Sequence, residues 1–276
     1  MNQQTKTLAC LLVCLICLAG CGGGGDGSSH TATTGGLSFQ LQFVDPSDEA
    51  RLQISNAEGD NICTTYEIDD IRGALTRIDG TVLASKTWPC EEHGGILDGV
   101  APTTNLVLLI EGVVDGEVAW RGQKAGIEIL PGQITPAGTV QMINITDDQT
   151  APQLLSTTPQ DGAEAVPINT AISVYFNEPV SAVSLNDAFL LTDGNSNSVT
   201  GVVSYESSDD DQLWRAEFAP AGNLKVQTQY TVTLLNVVHD LAGNTIDDAH
   251  TWSFTTGSAP LEPLIWGDGK WGDAWQ

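Results

Sequence analysis

The sequence predicts an all-β fold: two antiparallel β-sandwiches in tandem, behind a processed leader and a flexible tether. Three observations carry this. Apolar and polar residues alternate in short runs, beginning with Leu37-Ser38-Phe39-Gln40-Leu41-Gln42-Phe43, as a half-buried strand requires. Turn pairs such as Asp79-Gly80, Asp115-Gly116 and Pro131-Gly132 interrupt those runs at hairpin spacing. No long stretch with a 3.6-residue apolar period occurs beyond the leader. Short strands with regular turns bury one face each by packing sheet on sheet.

The chain begins with Lys6, an apolar run from Leu8 to Leu18, and the small residues Ala19 and Gly20 directly before Cys21. The run is too short for the roughly 20 apolar residues of a bilayer span, and its composition is that of a cleaved export signal. Leu18-Ala19-Gly20-Cys21 resembles the lipobox of bacterial lipoproteins at all four positions. That resemblance implies cleavage between Gly20 and Cys21, a diacylglycerol on the Cys21 thiol and an acyl chain on its new amine. Two or three chains anchor stably where one does not. With Gly22 rather than an aspartate after the cysteine, the resemblance implies the outer membrane as the destination in a Gram-negative cell.

Residues 1–20 are therefore read as signal peptide, and 21–36 as the lipidated cysteine followed by a tether of Gly, Ser and Thr that holds almost nothing to bury. Cys10, Cys14 and Cys17 leave with the signal, which leaves Cys63 and Cys90. An even pair in an exported chain reads as one disulfide, two free buried thiols being the alternative.

Residues 37–146 form the first expected sandwich. Further strands are expected at 71–78, 106–110, 117–121, 126–130 and 139–143. This region resembles the Ig-like or prealbumin-like sandwiches of exported bacterial proteins, with no diagnostic motif of either.

Residues 147–258 form the second. Asp147-Asp148 precedes Thr150-Ala151-Pro152, and then come Pro159-Gln160-Asp161-Gly162-Ala163 and Val166-Pro167-Ile168-Asn169. Phe176-Asn177-Glu178-Pro179-Val180, Tyr230-Thr231-Val232-Thr233, Asp240-Leu241-Ala242-Gly243-Asn244 and Trp252-Ser253-Phe254-Thr255-Thr256 follow in order. In that order these segments resemble the bacterial Ig-like domains of S-layer and other cell-surface proteins. The resemblance implies a sandwich; by alternation Val174 and Phe176 share a core-facing side of one strand, as Tyr230, Val232 and Leu234 do of another. It implies no catalytic residues.

Chemistry is sparse. His30, His93, His239 and His250 are scattered without metal-ligand spacing, and neither a nucleophile elbow nor a phosphate-binding loop occurs. The chain holds 35 Asp and Glu against 10 Lys and Arg, a formal charge of −25, which disfavours nucleic acid and anionic lipid headgroups as partners. Calcium is the one inorganic partner the acids suggest, with Asp147 and Asp148 at the junction as candidate ligands and Asp209-Asp210-Asp211 as a second acidic loop. Solvated acidic turns are the alternative.

The tail, 259–276, carries Trp266, Trp271 and Trp275. Tryptophan is costly to expose, so the tail is read as covering its own chain or contacting a partner, with disorder as the remaining alternative. The functional expectation is a non-enzymatic, lipid-anchored envelope protein that binds a surface protein or glycan, or scaffolds. A carbohydrate-active protein, accessory or catalytic, and a plain Ig-like spacer are the rival readings.

Overall fold

The computed structural model describes residues 33–44, 62–208 and 213–258, and all of them belong to one compact unit. Cys21 and most of the tether, Asp209 to Asp211, and Trp266, Trp271 and Trp275 lie outside the described residues. The described part is almost entirely β, as the alternation requires. No helix among the described residues is long and apolar enough to cross a membrane.

The N-terminal half contains β1 (Gly35–Val44), a one-turn helix α1 (Ile62–Thr65), β2 (Asp70–Arg77), β3 (Val82–Pro89), β4 (Gly94–Val100), β5 (Thr103–Val114), β6 (Glu117–Ile129) and β7 (Ile134–Asn144). They form one seven-stranded sheet in the order β3-β2-β5-β6-β7-β1-β4. Leu37, Phe39, Leu41 and Phe43 are all buried, so the alternation seen in the sequence does set the face of β1. The strand starts two residues earlier than the pattern suggested. The sheet is also not purely antiparallel, because β1 runs parallel to β7 while pairing antiparallel with β4.

This sheet curls until its two edges approach. Trp88 on β3 packs edge-on against Phe39 of β1, with ring centroids 5.3 Å apart. Gly95 on β4 leaves the space for it: a Cβ there would stand 2.4 Å from the indole ring. The Cys63–Cys90 disulfide ties α1 to the 3-10 turn between β3 and β4, beside that seam.

The segments 117–121 and 126–130, expected as separate strands, are one long strand with an irregularity in its pairing to β5 near Gly126. At the β5–β6 hairpin Asp115 and Gly116 both take positive φ, 51° and 86°, the turn whose twist suits a two-residue hairpin.

The C-terminal half contains β8 (Leu154–Thr158), β9 (Ala163–Val166), β10 (Ile172–Phe176), β11 (Phe189–Asp193), β12 (Ser198–Val199), β13 (Gly201–Ser208), β14 (Leu213–Pro220), β15 (Gln229–Leu234) and β16 (His250–Thr256). Two sheets result, β13-β14-β10-β8 and β12-β11-β15-β16-β9. Val174 and Phe176 from one meet Tyr230, Val232 and Leu234 from the other in a shared core, all 2% exposed or less. Val107 of the N-terminal sheet is buried in that same core, and Ile78 and Ala125 pack on it. The two halves thus share apolar surface instead of meeting only through a linker.

Beyond β11 the chain turns around Asp193. Its Oδ1 accepts the backbone N–H groups of Asn195 (3.0 Å) and Asn197 (2.9 Å), and Lys225 Nζ donates to its Oδ2 at 2.7 Å. Lys225 first, then Asn197, holds this carboxyl far below its ordinary value of 3.8. A depressed carboxyl contributes stability that is present above the unfolded value and is lost as pH falls through and below it. The unfolding midpoint of the native chain is therefore expected to drop more steeply from about pH 4 to pH 2 than that of Asp193→Asn. Parallel curves for the two proteins would contradict the role given to this carboxylate.

Candidate metal centre

Three acidic residues converge where the halves meet. Asp148 lies on the connector between β7 and β8, Glu178 just after β10, and Asp240 between β15 and β16. One carboxylate oxygen from each lies within 4.8 Å of the others. Asp148 comes from the acidic pair expected to bind calcium, whereas its neighbour Asp147 does not join the group. Glu178 and Asp240 were legible only as parts of fold motifs.

Local hydrogen bonds hold each acid in place. Asp240 is 2% exposed and organises its own turn. Its Oδ1 accepts the N–H groups of Gly243 (2.6 Å) and Asn244 (2.8 Å), and its Oδ2 accepts from Asn244 Nδ2 (2.8 Å). Gly243 takes φ 102°, which a side chain would resist. Asn244 Nδ2 also donates to the Asp148 backbone carbonyl at 3.1 Å, and Asp148 Oδ1 accepts from Thr150 N at 2.9 Å. Glu178 is partly buried: its Oε1 has no hydrogen-bond partner, while the neighbouring Asn177 side chain hydrogen-bonds the carboxyl. Burial first, then the charges of Asp148 and Asp240, pushes the Glu178 carboxyl up to about 7.

The segments that carry Glu178 and Asp240 are gripped from β6. Gln123 Nε2 donates to the Val180 carbonyl, and its Oε1 accepts from Ala182 N at 3.0 Å. Arg121 donates to the Leu241 carbonyl at 2.9 Å and pairs with Glu111 at 3.2 Å. Val180 and Asp240 face each other across an isolated antiparallel bridge, and Val180 N donates to the buried Tyr205 hydroxyl at 3.1 Å. Further along the junction Asn105 Nδ2 reaches the Val203 carbonyl at 3.1 Å. These bonds satisfy backbone groups that would otherwise be stranded between the halves.

What the arrangement offers is a set of hard oxygen donors. No salt bridge among the described residues reaches any of the three acids. Glu111, Glu206, Glu217 and Asp193, by contrast, each have an arginine or a lysine.

The class defined by this fold is an all-β protein whose C-terminal half is a two-sheet sandwich. Residues 148–256 match the family described as bacterial Ig-like domain, in keeping with the motif order from Thr150 to Thr256. Among solved structures, the N-terminal part of the bacterial S-layer protein SbsC is 22% identical over 39% of this chain and 24% of its own, with a TM-score of 0.29. The chain thus spans only about a quarter of that structure, and 14% of a longer SbsC structure covering domains 1–6. CopC from Methylosinus trichosporium OB3b is 15% identical over 41% of this chain and 98% of its own, with a TM-score of 0.28. The fimbrial anchor protein Mfa2 from Porphyromonas gingivalis is 9% identical over 76% and 80%, with a TM-score of 0.26. No curated protein matches the chain in sequence.

Proposed function

We propose that this chain is a non-catalytic lipoprotein of the bacterial cell envelope, anchored through lipid on Cys21, that binds or scaffolds at the cell surface. The observation that carries the reading is the joint between the halves. Gln123, Arg121 and Asn105 each spend a side chain on backbone groups across it. A protein that presents a surface away from its anchor needs its parts held in a fixed relation, and bonds of this kind provide that. The match of 148–256 to bacterial Ig-like domains supports the same reading, since that resemblance brings no catalytic residues. The outer membrane is the proposed location. Trp266, Trp271 and Trp275 are the proposed contacts for a surface protein or glycan.

The anchor is tested by expressing the full chain and its Cys21→Ala variant in a bacterial host and separating detergent and aqueous phases. The native chain is expected in the detergent phase and the variant in the aqueous one. A variant that stays with the detergent, or a native chain that takes up no labelled fatty acid, would overturn lipid anchoring. Deleting 259–276 tests the tail: partner binding is expected to fall while the melting temperature holds. A lower melting temperature would place the tail against its own fold instead.

A further inference from the structure

We infer that Cys63, Cys90 and His93 form a zinc site of two thiolates and one imidazole whenever the Cys63–Cys90 bond is open. The inference does not depend on lipid anchoring or on a surface partner.

Two cysteines that cross-link carry no such reading by themselves. The third group does. His93 Nε2 lies 3.6 Å from Cys63 Sγ, across 30 positions of sequence. Cys90 and His93 stand three apart across a 3-10 turn, the spacing that puts both side chains on one side. The backbone holds the imidazole in this place. The His93 N–H donates to the Cys90 carbonyl at 3.0 Å, and the His93 carbonyl accepts from Leu41 N at 2.9 Å. His93 also takes φ 48°, the left-handed conformation that glycine usually supplies at the end of a helical turn. A histidine adopts it at a cost, and backbone outliers of this kind gather at functional positions. Here the outlier brings a ring nitrogen to a sulfur.

The dimensions fit the ion. Zinc holds thiolate sulfur at about 2.3 Å and imidazole nitrogen at about 2.0–2.1 Å, in a tetrahedral set. A sulfur and a nitrogen on one such ion therefore stand about 3.6 Å apart. That is the separation of Cys63 Sγ and His93 Nε2. Two thiolates on one ion stand about 3.8 Å apart. The Cα atoms of Cys63 and Cys90 are 5.8 Å apart, so rotation of the side chains reaches that separation. His93 also lines a groove with Ser38, Gln40, Glu92, Gly94 and Pro136. Water or the Glu92 carboxylate can supply a fourth ligand from that side. Sulfur and imidazole donors select zinc over calcium and magnesium, which take oxygen.

The chain passes through the dithiol form before the bond closes, and a dithiol reductant returns it there. In that step the reductant gives two electrons and two protons to the sulfurs and leaves as its own disulfide. Zinc then displaces both thiol protons. Exchange with another disulfide takes the two electrons back, closes the bond and expels the ion. The ion ties α1 to the turn between β3 and β4, as the disulfide does. The seam beside Trp88 is thus stapled in either redox state.

The test uses the full chain in detergent. Its disulfide is reduced by a phosphine in urea, and the chain is refolded without oxygen and titrated with zinc chloride against a chromophoric chelator. One zinc per reduced chain is expected, with a dissociation constant of about 10⁻⁸–10⁻⁶ M and release of about two protons. The oxidised chain, taken through the same urea cycle, should bind at least tenfold more weakly. Cobalt in place of zinc should give thiolate-to-metal charge-transfer absorption, absent from the double variant Cys63→Ser, Cys90→Ser. His93→Asn, which tolerates the left-handed backbone, should bind at least tenfold more weakly when reduced. When oxidised it should melt close to native, which shows that it folds. Zinc a hundredfold above its dissociation constant should raise the melting temperature of the reduced chain by about 5–10 °C. The oxidised chain should not respond. A reduced chain that binds zinc no better than the double variant overturns the site. So does cobalt bound without that absorption, or His93→Asn binding as tightly as native. A reduced chain that stays unfolded with zinc present overturns it as well, because the ion is expected to replace the staple. Zinc bound with the melting temperature unchanged means that the unfolded chain binds equally well, and overturns the folded site.

Discussion

Replacing Trp120 by alanine is expected to lower the unfolding free energy by about 3–5 kcal/mol, the range for deleting a fully buried large aromatic. Trp120 is 1% exposed, at the middle of the N-terminal core. Its ring meets Phe43 of β1 edge-on at 5.2 Å and Tyr66, just after α1, at 4.9 Å. Gly112 on β5 stands opposite it, where an added Cβ would come within 3.0 Å of the tryptophan Cβ. The next residues, Arg121 and Gln123, are those that hold the C-terminal half, so the loss should spread to the joint. Urea unfolding followed by far-ultraviolet circular dichroism measures it. A loss under about 1 kcal/mol would mean that the pocket collapses around the smaller residue.

Removing the disulfide is expected to cost nearly as much. Cys63 and Cys90 are 3% and 0% exposed and 27 positions apart. On the chain-entropy account, opening a loop of that length costs about 3–4 kcal/mol, through the greater freedom of the unfolded chain. The double variant Cys63→Ser, Cys90→Ser should therefore melt well below the native protein. Reductant should lower the native midpoint and leave the variant's unchanged, because the buried sulfurs are reached only on unfolding. A variant melting within a degree or two of native would show that Trp88, Phe39 and Gly95 hold the seam between β3 and β4 unaided. Either outcome concerns only the N-terminal half, since no disulfide reaches the Ig-like one among the described residues.

Much of the architecture was legible because strand periodicity is local. The alternation from Leu37 to Phe43 placed four side chains in the core, and Asp79-Gly80 and Asp115-Gly116 marked the β2–β3 and β5–β6 hairpins. The Asp240-to-Asn244 segment was legible as a turn, and Gly243 takes the positive φ it needed. The parallel pairing of β1 with β7 was not legible. The partners are about a hundred residues apart, and alternation on a strand names its buried face without naming its neighbour. Joining 117–121 and 126–130 into one strand escaped for a related reason. A bulge carries a glycine, and glycine in a strand pattern reads equally well as a break.

The acidic cluster was half legible. Asp147-Asp148 drew notice as adjacent acids at a boundary, and adjacency proved a poor guide, because the chain bends at Asp147 and only Asp148 joins the group. The better signal was one acid in each of three separate turn motifs, at Asp148, Glu178 and Asp240. Each motif already had a structural reason to exist, so nothing in the sequence singled out its acid.

By itself, the sequence determined the strand character, the pair of cysteines free to cross-link, the Ig-like segment and the overall acidity. Strand character, the cysteine pair and the acidity are properties of composition or of spacing over a few residues, and the Ig-like segment is a resemblance carried by the order of its motifs from Thr150 to Thr256. The tertiary structure decided which distant carboxylates share a space, and that β6 grips both segments bearing Glu178 and Asp240. It also sealed Glu178 Oε1 from water. Burial and electrostatic coupling depend on distances through space, and those distances exist only once segments 30 or more positions apart have packed.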